Sequence, residues 1–107
     1  MDELIEAGNG GHALRGARDP ASGEHYFPFR ALTPDGTLRQ CEPVALSLAG
    51  VLHSWTRFGG KDYGQIDLPE GVRVLCLLGE GPHEIGAPYR LEVMTEDGAI
   101  RWRFDRD

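Results

Sequence analysis

Glycine and proline interrupt this sequence so often that long helices are excluded. Fifteen glycines and seven prolines are spread along 107 residues. In a helix interior glycine costs about 1 kcal/mol and proline about 3 kcal/mol relative to alanine. Short strands joined by turns use both residues as punctuation instead. The expected class is therefore mainly β. A chain this short has room for one core. Its 40% hydrophobic and 26% charged residues are ordinary globular usage.

Charge and cysteine content narrow the function. The formal net charge of -6 opposes non-specific nucleic-acid binding, which needs a positive field to displace counterions from phosphate. No apolar run approaches the roughly 18–20 residues of a bilayer span. The opening Met1-Asp2-Glu3-Leu4-Ile5-Glu6 is acidic and lacks the basic n-region of a signal peptide. Cys41 and Cys76 are too few for a disulfide scaffold. A cytoplasmic protein is expected.

The punctuation divides the chain into three stretches. Residues 1–18 read as an N-terminal arm, with a short helix from Asp2 to Ala7 ended by Gly8-Asn9-Gly10-Gly11. Residues 19–43 read as a small lobe between two turns, Asp19-Pro20-Ala21-Ser22-Gly23 and Thr33-Pro34-Asp35-Gly36. Residues 44–107 read as β throughout. Val44, Leu46 and Leu48 alternate, and after Ala49-Gly50 the strand resumes to Phe58, with a bend or bulge expected at the glycine. Leu52, Ser54, Thr56 and Phe58 take one face; Val51, His53, Trp55 and Arg57 take the other. Gly59-Gly60 ends it. Further strands are expected at Tyr63–Leu68, Val72–Leu78 (apolar on both faces, hence central), Tyr89–Met94 and Ile100–Phe104, the last two joined by Asp97-Gly98. Five strands in some sixty residues, the first long and glycine-bent, suggest a five-stranded OB-fold barrel.

Motifs for chemistry are sparse. His12, His25, His53 and His83 show no metal-ligand spacing. Cys76 sits within an apolar strand and reads as a small core side chain. Neither a Gly-x-Ser-x-Gly elbow nor a phosphate-binding glycine loop is present. No catalytic residue is assigned, and no metal site is expected. The segment Tyr26-Phe27-Pro28-Phe29-Arg30 stands out, because aromatics and arginine dominate interface hot spots. Tyr26, Phe27, Phe29 and Arg30 are candidate partner contacts, although folding back to complete a core is the competing use.

Phe27-Pro28-Phe29-Arg30, Gly50-Val51-Leu52-His53-Ser54-Trp55-Thr56 and Ile85-Gly86-Ala87-Pro88-Tyr89-Arg90-Leu91-Glu92-Val93 stand in an order that resembles the acyl-CoA-associated OB-fold family, domain of unknown function 35. The likeness runs over roughly residues 14–104. It implies a rubredoxin-like zinc ribbon, a Phe-Pro-Pro-Arg-like stretch and an OB barrel. Counted outward from Phe27, the family's four cysteine ligands fall on Asp19, Ser22, Thr33 and Gly36, and Phe29 replaces the second proline. The lobe at 19–43 is accordingly expected to be metal-free. Loss of a structural zinc removes several kcal/mol or more of folding free energy, which a partner surface would have to replace.

The resemblance implies a non-catalytic accessory subunit of a thiolase-fold enzyme: a thiolase, an acyltransferase or a retro-aldolase. Such a subunit helps form the CoA or acyl-CoA site while the partner supplies the reactive group, and no cofactor beyond that shared thioester is implied. A hydratase-type subunit is a further candidate partner. Trp55 joins the partner-contact candidates. Arg57, Phe58 and Lys61, where the first barrel strand turns, are the CoA-contact candidates, cations for phosphate and an aromatic for adenine. The alternatives are an OB module for single-stranded nucleic acid, using Trp55-Arg57 and Arg101-Trp102-Arg103, and a small metalloenzyme using the histidines.

Overall fold

Nine short strands and no helix make up the residues described by the computed structural model, 3–7 and 11–107. The strands are β1 (Leu4–Glu6), β2 (His12–Arg18), β3 (His25–Tyr26), β4 (Glu42–Ala45), β5 (Ala49–Phe58), β6 (Lys61–Asp67), β7 (Arg73–Leu77), β8 (Pro88–Glu96) and β9 (Ala99–Arg106). They divide into two compact units, Met1–Ser47 with Pro69–Val72, and Leu48–Leu68 with Arg73–Asp107.

In the first unit β2 pairs antiparallel with β1, β3 and β4. Ala13, Leu14, Ala17, Leu46 and Val72 are its buried apolar residues. The expected N-terminal helix is not found. Leu4, Ile5 and Glu6 instead lie opposite Leu14, Ala13 and His12. So short a segment cannot repay helix nucleation, whereas a neighbouring strand satisfies its amides at once. Asp2 and the Gly8–Gly10 part of the expected stop lie outside the described residues. β4 belongs here because Glu42–Ala45 pairs with Arg15–Arg18. The division between units therefore falls at 47/48, not 43/44. Val44 and Leu48 accordingly belong to different units, and their alternation is not that of a single strand running on into β5.

The two expected turns form. Gly23 and Gly36 take φ of 81° and 82°. The Gly23 amide donates to Asp19 O at 2.7 Å, and the Thr33 amide donates to Arg39 O at 2.9 Å. The Asp19 side chain is fully buried. The Arg39 guanidinium beside it holds its carboxyl well below the usual carboxylate range, and hydrogen bonds from Thr37 hold Asp35 at about 2.

In the second unit the strand order is β7-β6-β5-β8-β9. A parallel bridge between Leu78 and Phe104 brings the two ends together, and the Gly79 amide donates to Phe104 O at 2.9 Å. This is the OB-fold topology, a nearly closed barrel. Its interior holds Leu52, Ile66, Val74, Tyr89, Leu91 and Phe104. β7 ends the path, so it is not the central strand that its apolar composition suggested. Leu75 on its outer side is 72% exposed. The Asp97-Gly98 hairpin forms with positive φ at both residues, as a primed turn requires.

The glycine inside β5 serves close approach. A Cβ on Gly50 would lie 2.6 Å from the Asp67 carbonyl oxygen and 2.7 Å from Ile66. Backbone cannot give way as a side chain does, so Gly50→Val is expected to destabilise the barrel by about 3 kcal/mol or more. Urea denaturation with an unchanged m-value would measure it; a loss within about 0.5 kcal/mol, the size of a surface change, would refute the close-approach account.

Candidate functional site

The irregularity in β5 falls three residues past Gly50, and it builds the mouth of the barrel. The register with β6 shifts between Leu52 and Ser54, leaving His53 as the extra residue. Such a bulge reverses the inside-outside phase of everything after it. Leu52 points inward opposite Ile66. Beyond the bulge Trp55 and Arg57, rather than Ser54 and Thr56, continue the inward series, opposite the buried Gly64 and Asp62. The Ser54 hydroxyl donates to Gln65 Oε1 at 2.8 Å on the outward side.

Asp62 anchors the mouth. Its two oxygens accept from Arg57 Nε at 2.6 Å and from the terminal Nη2 at 3.3 Å. Its Oδ2 also meets His83 Nε2 at 2.8 Å. His83 Nδ1 meets the Tyr89 hydroxyl at 2.7 Å. The His83 side chain is 1% exposed, and the Trp55 ring covers it with centroids 4.8 Å apart. The hydrogen bond from Arg57, chiefly, keeps the Asp62 carboxyl below its ordinary range, while burial raises that of the Tyr89 hydroxyl. An ionised carboxylate only accepts, so His83 Nε2 carries the proton facing Asp62 and donates it, while Nδ1 and the Tyr89 hydroxyl share the second hydrogen bond. The buried polar groups of Asp62, His83 and Tyr89 are thereby paired, as burial demands.

Arg103 reaches the same end of the barrel, forked onto Asp105 at 2.7 and 3.3 Å. Gly79 lies against that carboxylate so closely that any side chain there would overlap it. Arg57, Lys61, Arg103, Asp62 and Glu80, with Leu77 and Leu78, line an open cavity of about 470 Å³. Lys61 takes part in none of the ion pairs found among the described residues, which leaves its ammonium the most available cation of the three. Arg57 is held in place by Asp62 while 63% of its side chain stays exposed. A fork already fixed on one side presents its remaining N–H groups at little entropic cost to a phosphate or carboxylate.

The other sequence-predicted residues fall elsewhere. Phe58 turns outward opposite Lys61, is 77% exposed and does not line the cavity. The outward side of β5–β7 is mixed, with Ser54, Thr56 and Gln65 beside Tyr63 and Leu75. Tyr26, Phe27 and Phe29 are half-buried in the first unit, and Arg30 is exposed. The Arg15 guanidinium lies 4.0 Å from the Phe29 ring centroid. The Tyr26 hydroxyl donates to Glu24 at 2.8 Å, and Arg30 Nε to the Leu32 carbonyl at 2.9 Å. The sequence gives Asp62, His83, Tyr89 and Arg103 no part in a CoA site, Tyr89 standing only within the stretch 85–93 of the resemblance and Arg103 only in the nucleic-acid alternative; His83 reaches Asp62 across 21 residues of sequence, a separation at which no local pattern operates. Burial pushes the Cys76 thiol up to about 12, which keeps it protonated as a core side chain.

No family model matches the sequence, and no curated protein does. Among solved structures the chain is similar to one from an Ltp2–ChsH2(DUF35) aldolase, with 20% identity, a TM-score of 0.72, and coverage of 88% of this chain and 84% of that one. The fold is that of a DUF35 protein. Coverage this broad takes the DUF35 likeness well past the barrel, because the second unit alone leaves out residues 1–47.

Proposed function

We propose that this chain is a member of the DUF35 family and serves as a non-catalytic accessory subunit of a thiolase-fold enzyme acting on acyl-CoA thioesters. The observation that carries the reading is the fold shared with the DUF35 chain of an aldolase over 88% of the length. The barrel mouth supports it. Arg57, Lys61 and Arg103 line one open cavity, and Arg57 and Lys61 are the proposed contacts for CoA phosphates. Phe58, on the outward face one residue past Arg57 and outside the cavity, is the proposed ring for adenine where CoA would pass over the end of β5. The reacting group comes from the partner. This chain's part is to orient the thioester and exclude water, which lowers the barrier without bond-making of its own. Tyr26, Phe27, Phe29, Arg30 and Trp55 are the proposed partner contacts; the protein works in the cytoplasm and holds no zinc.

Nucleic-acid binding is the weaker reading. The net charge of -6 opposes an extended polyanion, which needs a positive groove along the strand rather than cations gathered at one mouth. Co-expression with a thiolase-fold enzyme, sought among the neighbouring reading frames, tests the proposal. The two chains are expected to co-elute on size exclusion at micromolar concentration, with turnover only in the mixture. Separate elution, or turnover by this chain alone, would overturn it.

A further inference from the structure

We infer that the guanidinium of Arg39 is the structural cation of the lobe at 19–43, standing where the resemblance places a zinc ion. The zinc does not fit the residues present. Asp19, Ser22, Thr33 and Gly36 supply one carboxylate, two hydroxyls and no side chain at all, against the thiolate and imidazole ligands of structural zinc. Those residues are nevertheless organised around a positive charge. In the first turn the Asp19 carboxylate accepts from the Ala21 amide at 3.0 Å and the Ser22 hydroxyl at 2.9 Å. In the second, Asp35 Oδ1 accepts from the Thr37 amide at 3.1 Å and from the Thr33 hydroxyl at 2.9 Å. Arg39 joins them. Its Nη2 lies 2.6 Å from Asp19 Oδ2 and 3.3 Å from Asp35 Oδ2, its Nε lies 3.2 Å from Asp19 Oδ2, and its Nη1 donates to the Thr37 hydroxyl at 2.7 Å.

One planar cation thus ties together two turns well separated in sequence, as a metal would. Asp19, fully buried, needs a full-time countercharge; without one, its desolvation is uncompensated. A guanidinium meets that need with directional donors that a lysine ammonium cannot reproduce. The device also differs from zinc in what disturbs it, since neither a chelator nor thiol oxidation acts on it. It stands apart from the proposed partnership and holds in the free chain.

Amide hydrogen exchange on the full chain tests it, following the turns 19–24 and 33–39 against β6 as an internal reference. Arg39→Ala is expected to speed exchange in both turns by about tenfold or more with β6 unchanged, the scale of losing a charged hydrogen-bond partner. Millimolar guanidinium, harmless to the parent protein, is expected to restore part of the protection to Arg39→Ala. Arg39→Lys is expected to fall between the two. Should Arg39→Ala fail to fold, Asp35→Asn gives the milder readout, with faster exchange expected in the second turn. Unchanged exchange in Arg39→Ala, or in Asp35→Asn where that is the variant read, would overturn the inference. So would one equivalent of zinc in the parent protein whose chelation loosens these turns.

Discussion

Phe104→Ala is expected to remove about 3–5 kcal/mol of stability, the range for deleting a large aromatic from a tight core. Phe104 is fully buried, and its backbone makes the parallel bridge to Leu78 and accepts from the Gly79 amide. Its side chain packs edge-on to Trp102 at 6.3 Å. The ring therefore fills the interior at the seam where the first and last strands of the sheet path meet. For a chain of this size each kcal/mol moves the melting temperature by about 4–8 °C, so a fall of roughly 15–30 °C is expected by calorimetry. Phe104→Leu keeps most of the volume and is expected to lose about a third as much or less. A melting temperature within a few degrees of the parent for Phe104→Ala would mean that the seam is not closed by this residue.

Arg57→Ala, in the complex with the proposed partner, is expected to weaken CoA binding by about 10- to 100-fold, the worth of one or two charge-assisted hydrogen bonds. The size rests on preorganisation. Asp62 grips two nitrogens of the fork, and Asp62 is itself held by His83, which Tyr89 holds from the core. Arg57→Lys is expected to recover little, because an ammonium loses the fork. Lys61→Ala is expected to cost less, near tenfold, since a flexible surface lysine is ordered only on binding. Calorimetric titration with CoA and with dephospho-CoA separates contact with the 3′-phosphate from contact with the pyrophosphate. Equal affinity of parent and Arg57→Ala for both ligands, with co-elution retained, would remove the mouth from the CoA site and leave the accessory role standing.

Several elements are legible in the sequence because their signals are local. Asp97-Gly98, Gly59-Gly60 and the turns ending at Gly23 and Gly36 need positive φ, and each takes it. The strand positions of β6, β8 and β9 match period-two alternation, and β5 does so as far as its bulge at His53. Elsewhere local pattern misleads. Leu4–Glu6 reads as helix from two adjacent apolar residues, and pairing with β2 overrides that weak preference. Val72–Leu78 looks central from composition but ends the sheet path. At the mouth, Arg57 and Lys61 are marked by their charge near a turn, while nothing in the sequence assigns Asp62, His83, Tyr89 and Arg103 to the same place.

Residue order alone determined a β protein, most of its turns, and the five barrel strands, since dihedral preference and alternation act over two to five neighbours. Tertiary structure decided which way those strands face. One unpaired residue, His53, reversed the phase of β5, and with it the side chains at the barrel mouth. It also decided the company of each charge: Arg57 with Asp62 and His83, and Arg39 with Asp19 and Asp35. Arg39 and Asp19, like His83 and Asp62, stand 20 and 21 residues apart and meet only after the backbone has closed, so their pairing is a property of the fold and is written in no single segment.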